Sequence, residues 1–224
     1  MSSTIVSADC AVTLVGAGEL DSQDLTIALG LAPHIVAADG GARAVLSHGL
    51  VPKAVIGDLD SLSIEDRNEI PQTAVHHITE QDSTDFEKVL RAIKAPSILA
   101  VGVTGPRLDH TMAVFSALVA FGNVRCVVLG QEEVIFHVPD SITLPTQAGD
   151  RVSLFPMRKV TGRSTGLRWP IDGLVLEPGG RVGTSNIANG KARVETDGPG
   201  LLAMLPRERL GAVMRLFSAP EATS

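Results

Sequence analysis

Aromatic side chains are nearly missing from this sequence: they make up 3% of 224 residues, with no tyrosine and one tryptophan, Trp169. Hydrophobic residues still reach 44%, so the core must be Val, Leu, Ile and Ala, the composition of buried parallel strands. Cysteine is scarce too. Cys10 and Cys126 stand far apart without C-x-x-C spacing, which excludes a cysteine zinc site and suits a reducing cytoplasm. No block of Lys or Arg interrupts a net charge of −6, which argues against nucleic-acid binding through a basic face. The longest apolar run, residues 112–121, is too short to cross a membrane. No basic n-region of a secretory signal opens the chain. The expectation is a cytoplasmic protein without membrane segments.

What is present is a series of short apolar runs that stop at Gly or Asp. In Val55-Ile56-Gly57-Asp58-Leu59-Asp60-Ser61 the run ends at a glycine and two aspartates follow, one residue apart. Alternate side chains of an extended segment share a face, so both carboxylates can aim at one point. Carboxylates about 6–7 Å apart along a chain repel unless a cation sits between them. Mg2+ fits that demand, because it prefers oxygen ligands and shares itself with phosphates. The competing reading makes Asp60 or Ser61 a helix cap and Asp58 a turn residue.

Residues 11–15 read as a strand ending in Gly16-Ala17-Gly18; the third glycine of a dinucleotide fingerprint is replaced by Asp21, which excludes that motif. Residues 35–38 form a second strand before Asp39-Gly40-Gly41, where glycines permit close approach to a ligand. Helices follow from Asp21-Ser22, Ala42 and Ser63. After a strand at 75–78 comes Gln81-Asp82-Ser83-Thr84-Asp85-Phe86-Glu87, with Thr84 and Glu87 spaced as a capping box and a third acid, Asp85, at a third strand end. His76 and His77 point to opposite faces and are not a chelating pair. A strand at 98–103 leads into Gly105-Pro106-Arg107-Leu108-Asp109-His110 and a helix to about residue 121. Arg107 beside a helix N-terminus suits phosphate, or else pairs with Asp109 to close the loop. His110 reads as structural. Strands at 124–129 and 134–138 complete the candidates for one parallel sheet.

Beyond Pro139 the texture changes to short strands and frequent turns: strands at 151–155, 174–176, 192–195 and 201–205, and a final helix at 207–217. The expected fold class is therefore α/β: a parallel-sheet N-terminal domain with flanking helices (1–139), plus a sandwich-like C-terminal antiparallel β domain (140–224). Trp169 reads as core or interface, or as a platform for a flat heterocycle. Thr184-Ser185-Asn186 reads as a polar loop triplet.

In order and spacing, Ala38-Asp39-Gly40-Gly41-Ala42, Ile56-Gly57-Asp58-Leu59-Asp60-Ser61, Asp82-Ser83-Thr84-Asp85-Phe86 and Gly105-Pro106-Arg107-Leu108-Asp109-His110-Thr111 resemble the thiamine pyrophosphokinase family. The likeness continues through Leu154-Phe155-Pro156, Gly166-Leu167-Arg168-Trp169 and Thr184-Ser185-Asn186. It implies transfer of the diphosphate of ATP to the hydroxyethyl oxygen of thiamine, with release of AMP, by a homodimer that holds thiamine near its interface. It implies Mg2+ on Asp58, Asp60 and Asp85, with Arg107 also in the catalytic set. It further implies an ATP site of Asp39, Gly40, Gly41, Gln81, Asp82, Thr84, Arg107 and Asp109, and a thiamine site of Thr165, Trp169, Ser185 and Asn186. Arg43 and Val114 stand where the family often has Asn, and Leu59 replaces the commoner Phe. Two rivals remain at this stage. One is a D-x-D phosphatase with Asp58 as nucleophile, against which Leu62 stands where Thr or Val is expected. The other is a thiamine or nucleotide sensor without turnover.

Overall fold

Each short apolar run of the first half of the chain becomes a buried strand, and the polar residue that follows it begins a turn or a helix. The structure, a computed structural model, describes residues 4–219. They divide into two compact units: Leu118–Phe217 form one, and the residues before them, rejoined at Ser218, form the other.

The first unit contains β1 (Val6–Ser7), β2 (Val12–Val15), α1 (Ser22–Leu31), β3 (His34–Ala38), α2 (Gly41–Ser47), β4 (Ala54–Gly57), α3 (Ile64–Asn68), β5 (Val75–His77), α4 (Asp85–Ala92), β6 (Ile93–Lys94) and β7 (Ile98–Val101), and α5 (Leu108–Ala120) begins in it. Within this unit a parallel sheet runs in the order β7-β2-β3-β4-β5, while β1 and β6 pair apart from it. β2, β4 and β7 are buried at every residue, which is why they read as unbroken apolar runs. Helix starts follow local chemistry. Asp21 accepts from the Gln23 N–H at 2.7 Å, Ser63 from the Asp66 N–H at 3.1 Å, and Thr84 and Glu87 make the expected reciprocal capping box.

From β2 the chain runs outward through β3, β4 and β5, then returns to lay β7 on the other side of β2. The loops after β2 and β7 stay tied to each other, the Gly18 N–H to the Gly102 carbonyl at 2.6 Å and the Glu19 N–H to the Thr104 carbonyl at 3.1 Å, and they stand at the carboxyl ends of the strands, where open α/β sheets bind ligands.

The second unit holds β8 (Cys126–Leu129), β9 (Glu133–His137), β10 (Ser141–Leu144), β11 (Arg151–Pro156), β12 (Gly162–Leu167), β13 (Gly183–Thr196), β14 (Leu201–Pro206) and most of α6 (Leu210–Ser218). Its pairings are antiparallel: β8 with β9, β9 with β14, β14 with β11 and β11 with β13. The long β13 serves two sets of partners. Its residues 183–187 lie against β11 and its residues 192–196 against β10 and β12, so one strand turns the corner of a sandwich-like fold. Phe136 meets Phe217 edge to face at 5.2 Å within this core.

The structure changes several expectations. β8 and β9 form an antiparallel pair rather than further parallel strands. β9 also pairs with β14, and the compact unit that holds them reaches back to Leu118. Residues 174–176 form no strand; Leu176 makes a single bridge to Val160. Thr184, Ser185 and Asn186 lie inside β13 rather than in a loop. β10 and β12 are strands that no apolar run marks, and the last helix is preceded by a 3-10 turn at Arg207–Arg209.

Candidate active site

Three carboxylates converge at the ends of β3 and β4. Pairing of Ala38 with Ile56 sets the two strand ends side by side, so Asp39 comes beside the Asp58 turn. Asp39, Asp58 and Asp60 each offer an oxygen within 4.8 Å of the others. The turn is not extended: Leu59 has φ +63°, and the Asp60 N–H donates to Asp58 Oδ1 at 3.4 Å. Bending, not strand alternation, brings Asp58 and Asp60 together, which corrects the shared-face expectation. Asp39 is 3% exposed. Its Oδ2 accepts from the Ser61 N–H at 3.1 Å, while its Oδ1 is buried without a hydrogen-bond partner. Burial pushes the Asp39 carboxyl above its usual range, against the Ser61 hydrogen bonds and with help from Asp85. An orphaned carboxylate oxygen in an all-oxygen triad fits a hard divalent cation.

Asp85 starts α4 and lies outside that triad, although its Oδ1 stands 3.1 Å from where a Cβ on Gly57 would be. It accepts from Lys88 Nζ at 3.0 Å, and the same ammonium lies 3.7 Å from Asp58 Oδ2. Burial raises the Asp58 carboxyl, but the Gln81 amide at 3.2 Å, the Asp60 N–H and Lys88 together hold it below its usual range. Burial disfavours the Lys88 ammonium, yet Asp85, Asp58 and Glu80 keep its pKa raised. Lys88 was missed in the sequence; the available signal was a lysine three residues after a candidate acid, on the same helix face.

Beside the acids opens a cavity of about 670 Å3. Among the expected residues Asp39, Gly40, Asp58, Thr84, Asp85 and Arg107 line it, whereas Gly41, Asp60, Gln81, Asp82 and Asp109 do not. Gly41 is required for packing instead: a Cβ there would lie 2.2 Å from the Val15 carbonyl oxygen. The Asp82 N–H donates to Glu80 Oε2 at 3.0 Å, and Glu80 also takes Arg91 at 2.7 Å, which ties down the loop carrying Gln81. Gly16, Ala17 and Gly18 after β2, and Gly102 and Thr104 after β7, form the opposite wall at the switch point. His110, read as structural, also lines the cavity. Arg107 makes a forked pair with Asp109, at 3.3 and 2.7 Å. That pairing holds the Asp109 carboxyl below its usual range.

In the second unit Trp169 is 53% exposed, with the Arg168 guanidinium 5.0 Å from its ring centre. Asn186 is 6% exposed, and its amide is spent on the Trp169 backbone. Ser185 has φ +60° at the break in register between β11 and β13, and its N–H donates to Ser153 Oγ at 3.0 Å. Thr165 is exposed on β12 opposite Arg193.

Residues 18–128 match the profile described as thiamin pyrophosphokinase, catalytic domain. Residues 137–201 match that of the thiamin pyrophosphokinase vitamin B1 binding domain. The chain belongs to the thiamin pyrophosphokinase family. Its relatives include thiamine pyrophosphokinase 1 of rice, 30% identical over 155 residues, or 61% of this chain and 59% of that protein. Thiamin pyrophosphokinase 1 of Caenorhabditis elegans is 26% identical over 69% of this chain and 71% of its own length. The match thus spans about three fifths of the rice relative. In fold, the Candida albicans thiamin pyrophosphokinase superposes with a TM-score of 0.74 at 17% identity, covering 88% of this chain and 89% of its own. The Geobacillus thermodenitrificans enzyme gives 0.71 at 24%, covering 88% and 96%. Of the departures from the family pattern, Arg43 pairs with Asp66 at 3.2 Å, Leu59 takes the left-handed turn, and Val114 lines the cavity.

Proposed function

We propose that this member of the thiamin pyrophosphokinase family transfers the diphosphate group of ATP to the hydroxyethyl oxygen of thiamine and releases AMP. The observation that carries the reading is the Asp39, Asp58 and Asp60 triad, with its unpartnered Asp39 oxygen, beside a cavity large enough for a nucleotide. Asp39, Asp58, Asp60 and Asp85 would hold Mg2+, which supplies charge neutralisation to the polyphosphate. Arg107 leaves Asp109 to meet non-bridging oxygens as a fork of donors. Asp39, Gly40, Gly41, Gln81, Asp82, Thr84 and Asp109 shape the nucleotide site, some of them by fixing the loops rather than by contact. Trp169 stacks on thiamine, with Thr165, Ser185 and Asn186 around it. Phosphoryl transfer of this kind rests on positioning and electrostatic stabilisation, and a carboxylate of the cluster accepts the hydroxyl proton.

The active species is a homodimer that works in the cytoplasm, as the two free cysteines suit. No helix among the described residues is long and apolar enough to cross a membrane.

The test is incubation of the purified protein with ATP, Mg2+ and thiamine. AMP and thiamine diphosphate should form in equal amounts. Asp60→Asn and Asp85→Asn should each lose about a hundredfold or more of that rate with unchanged folding. ATP breakdown independent of thiamine, or full activity in both variants, overturns the reading. An acyl phosphate trapped on Asp58 would mark a phosphatase instead.

A further inference from the structure

The acidic cluster carries a positive charge of its own. Lys88 is 2% exposed, and its ammonium lies 3.0 Å from Asp85 Oδ1 and 3.7 Å from Asp58 Oδ2. A buried ammonium persists only where carboxylates compensate it, so this pairing is not a loose surface contact. Asp58 is also a member of the triad suited to a divalent cation. A divalent cation held by the triad would therefore draw on the same carboxylate as Lys88, and like charges repel in a partly buried site. Without Lys88, Asp39, Asp58, Asp60 and Asp85 would form a cluster of uncompensated acids that binds any bare divalent cation tightly.

We propose that Lys88 is an internal counter-cation that competes with the divalent cation for Asp58 and Asp85, keeping the affinity for free metal low so that the cation is taken up with the nucleotide. The inference rests on the reading of this cluster as the cation site. Lys88 acts through the carboxylates and is a positioning residue. Binding of a metal–polyphosphate complex brings extra negative charge, which compensates both cations at once; a free metal ion brings none. The same carboxylates thus favour the complex over its bare ion without any change of ligand set.

The experiment measures metal binding without nucleotide or thiamine. Chelator-treated protein is titrated with Mn2+, and free Mn2+ is read by electron paramagnetic resonance. Lys88→Met, close in volume and neutral, should bind Mn2+ about tenfold more tightly than wild type, while Lys88→Arg, which keeps the charge, should bind within about twofold of it. A lysine that only props up the site predicts the reverse, since its loss would scatter the acids and weaken binding. Mn2+ binding by natively folded Lys88→Met that is equal to or weaker than wild type overturns the proposal. Should Lys88→Met not fold, wild type labelled with 15N-lysine decides. The Lys88 ammonium signal, assigned by its loss in Lys88→Arg, should shift on addition of saturating Mg2+, and a signal that stays in place overturns the proposal. Neither arm uses ATP or thiamine, so absence of thiamine diphosphate synthesis would refute the proposed reaction while leaving this result to stand or fall by itself.

Discussion

Asn186 grips the backbone of Trp169 at both polar groups. Its Oδ1 accepts from the Trp169 N–H at 3.1 Å, and its Nδ2 donates to the Trp169 carbonyl at 2.6 Å. The same Oδ1 takes the Ile187 N–H at 2.9 Å. If Trp169 stacks on thiamine as proposed, a side chain so committed would serve by fixing the tryptophan rather than by touching the ligand itself. Asn186→Ala should therefore lower stability by about 1–3 kcal/mol, because buried backbone groups lose their partners. Trp169 is the only tryptophan, so its fluorescence reports the change directly. The emission should move to longer wavelength, and the KM for thiamine should rise about tenfold while the KM for ATP stays put. Unaltered emission and thiamine KM in Asn186→Ala would refute the gripping role.

Acid sensitivity should have a local source at the start of β11. Arg209 forks onto Asp150, Nε to Oδ2 at 2.7 Å and Nη2 to Oδ1 at 2.9 Å, and the Gln147 N–H adds a bond at 2.7 Å. The Arg209 hydrogen bonds hold the Asp150 carboxyl below its usual range, against a smaller effect of burial. A carboxyl with a lower pKa folded than unfolded contributes stability that is complete above the unfolded value, about 3.9. That contribution is lost as pH falls through the folded value. Asp150→Asn should therefore cost about 1.5–3 kcal/mol at neutral pH. Its deficit against wild type should shrink as the pH is lowered below about 4. Urea unfolding at several pH values checks this; a deficit of constant size would mean that the pair does not titrate with folding.

How much of this was legible in the sequence depends on how local each cause is. The caps at Asp21, Ser63 and Thr84 were readable, because each bonds an N–H two or three residues away. The place of the acids at strand ends was readable too, from apolar runs that stop at Gly or Asp. Asp39 as the third member of the triad was not, because it depends on the pairing of Ala38 with Ile56 across two strands. Lys88 stood in plain view three residues after Asp85, but its burial is decided by the sheet beneath α4. Thr184, Ser185 and Asn186 read as a loop because polar residues usually mean exposure. Here Asn186 is buried by satisfying the Trp169 backbone, and Ser185 marks a register break that no apolar pattern encodes.

Gly57 is pressed from two sides by acids of the cluster. A Cβ at this position would lie 2.8 Å from the Asp39 Cβ and 3.1 Å from Asp85 Oδ1. Gly57 has no positive φ, so alanine meets no backbone strain there, and the whole penalty falls on the two carboxylate side chains. Gly57→Ala should destabilise by about 1–3 kcal/mol through overpacking. It should weaken Mn2+ binding as Asp39 is pushed out of the triad. The matched control is Gly30→Ala in α1, where a Cβ meets nothing within 4 Å and helix propensity predicts a gain of about 0.5–1 kcal/mol. Thermal unfolding of both variants, each with a Mn2+ titration, separates the two effects. Undiminished metal binding by Gly57→Ala would mean that Asp39 is free to move aside, and that its place between Gly57 and Ser61 is not what orients its unpartnered oxygen.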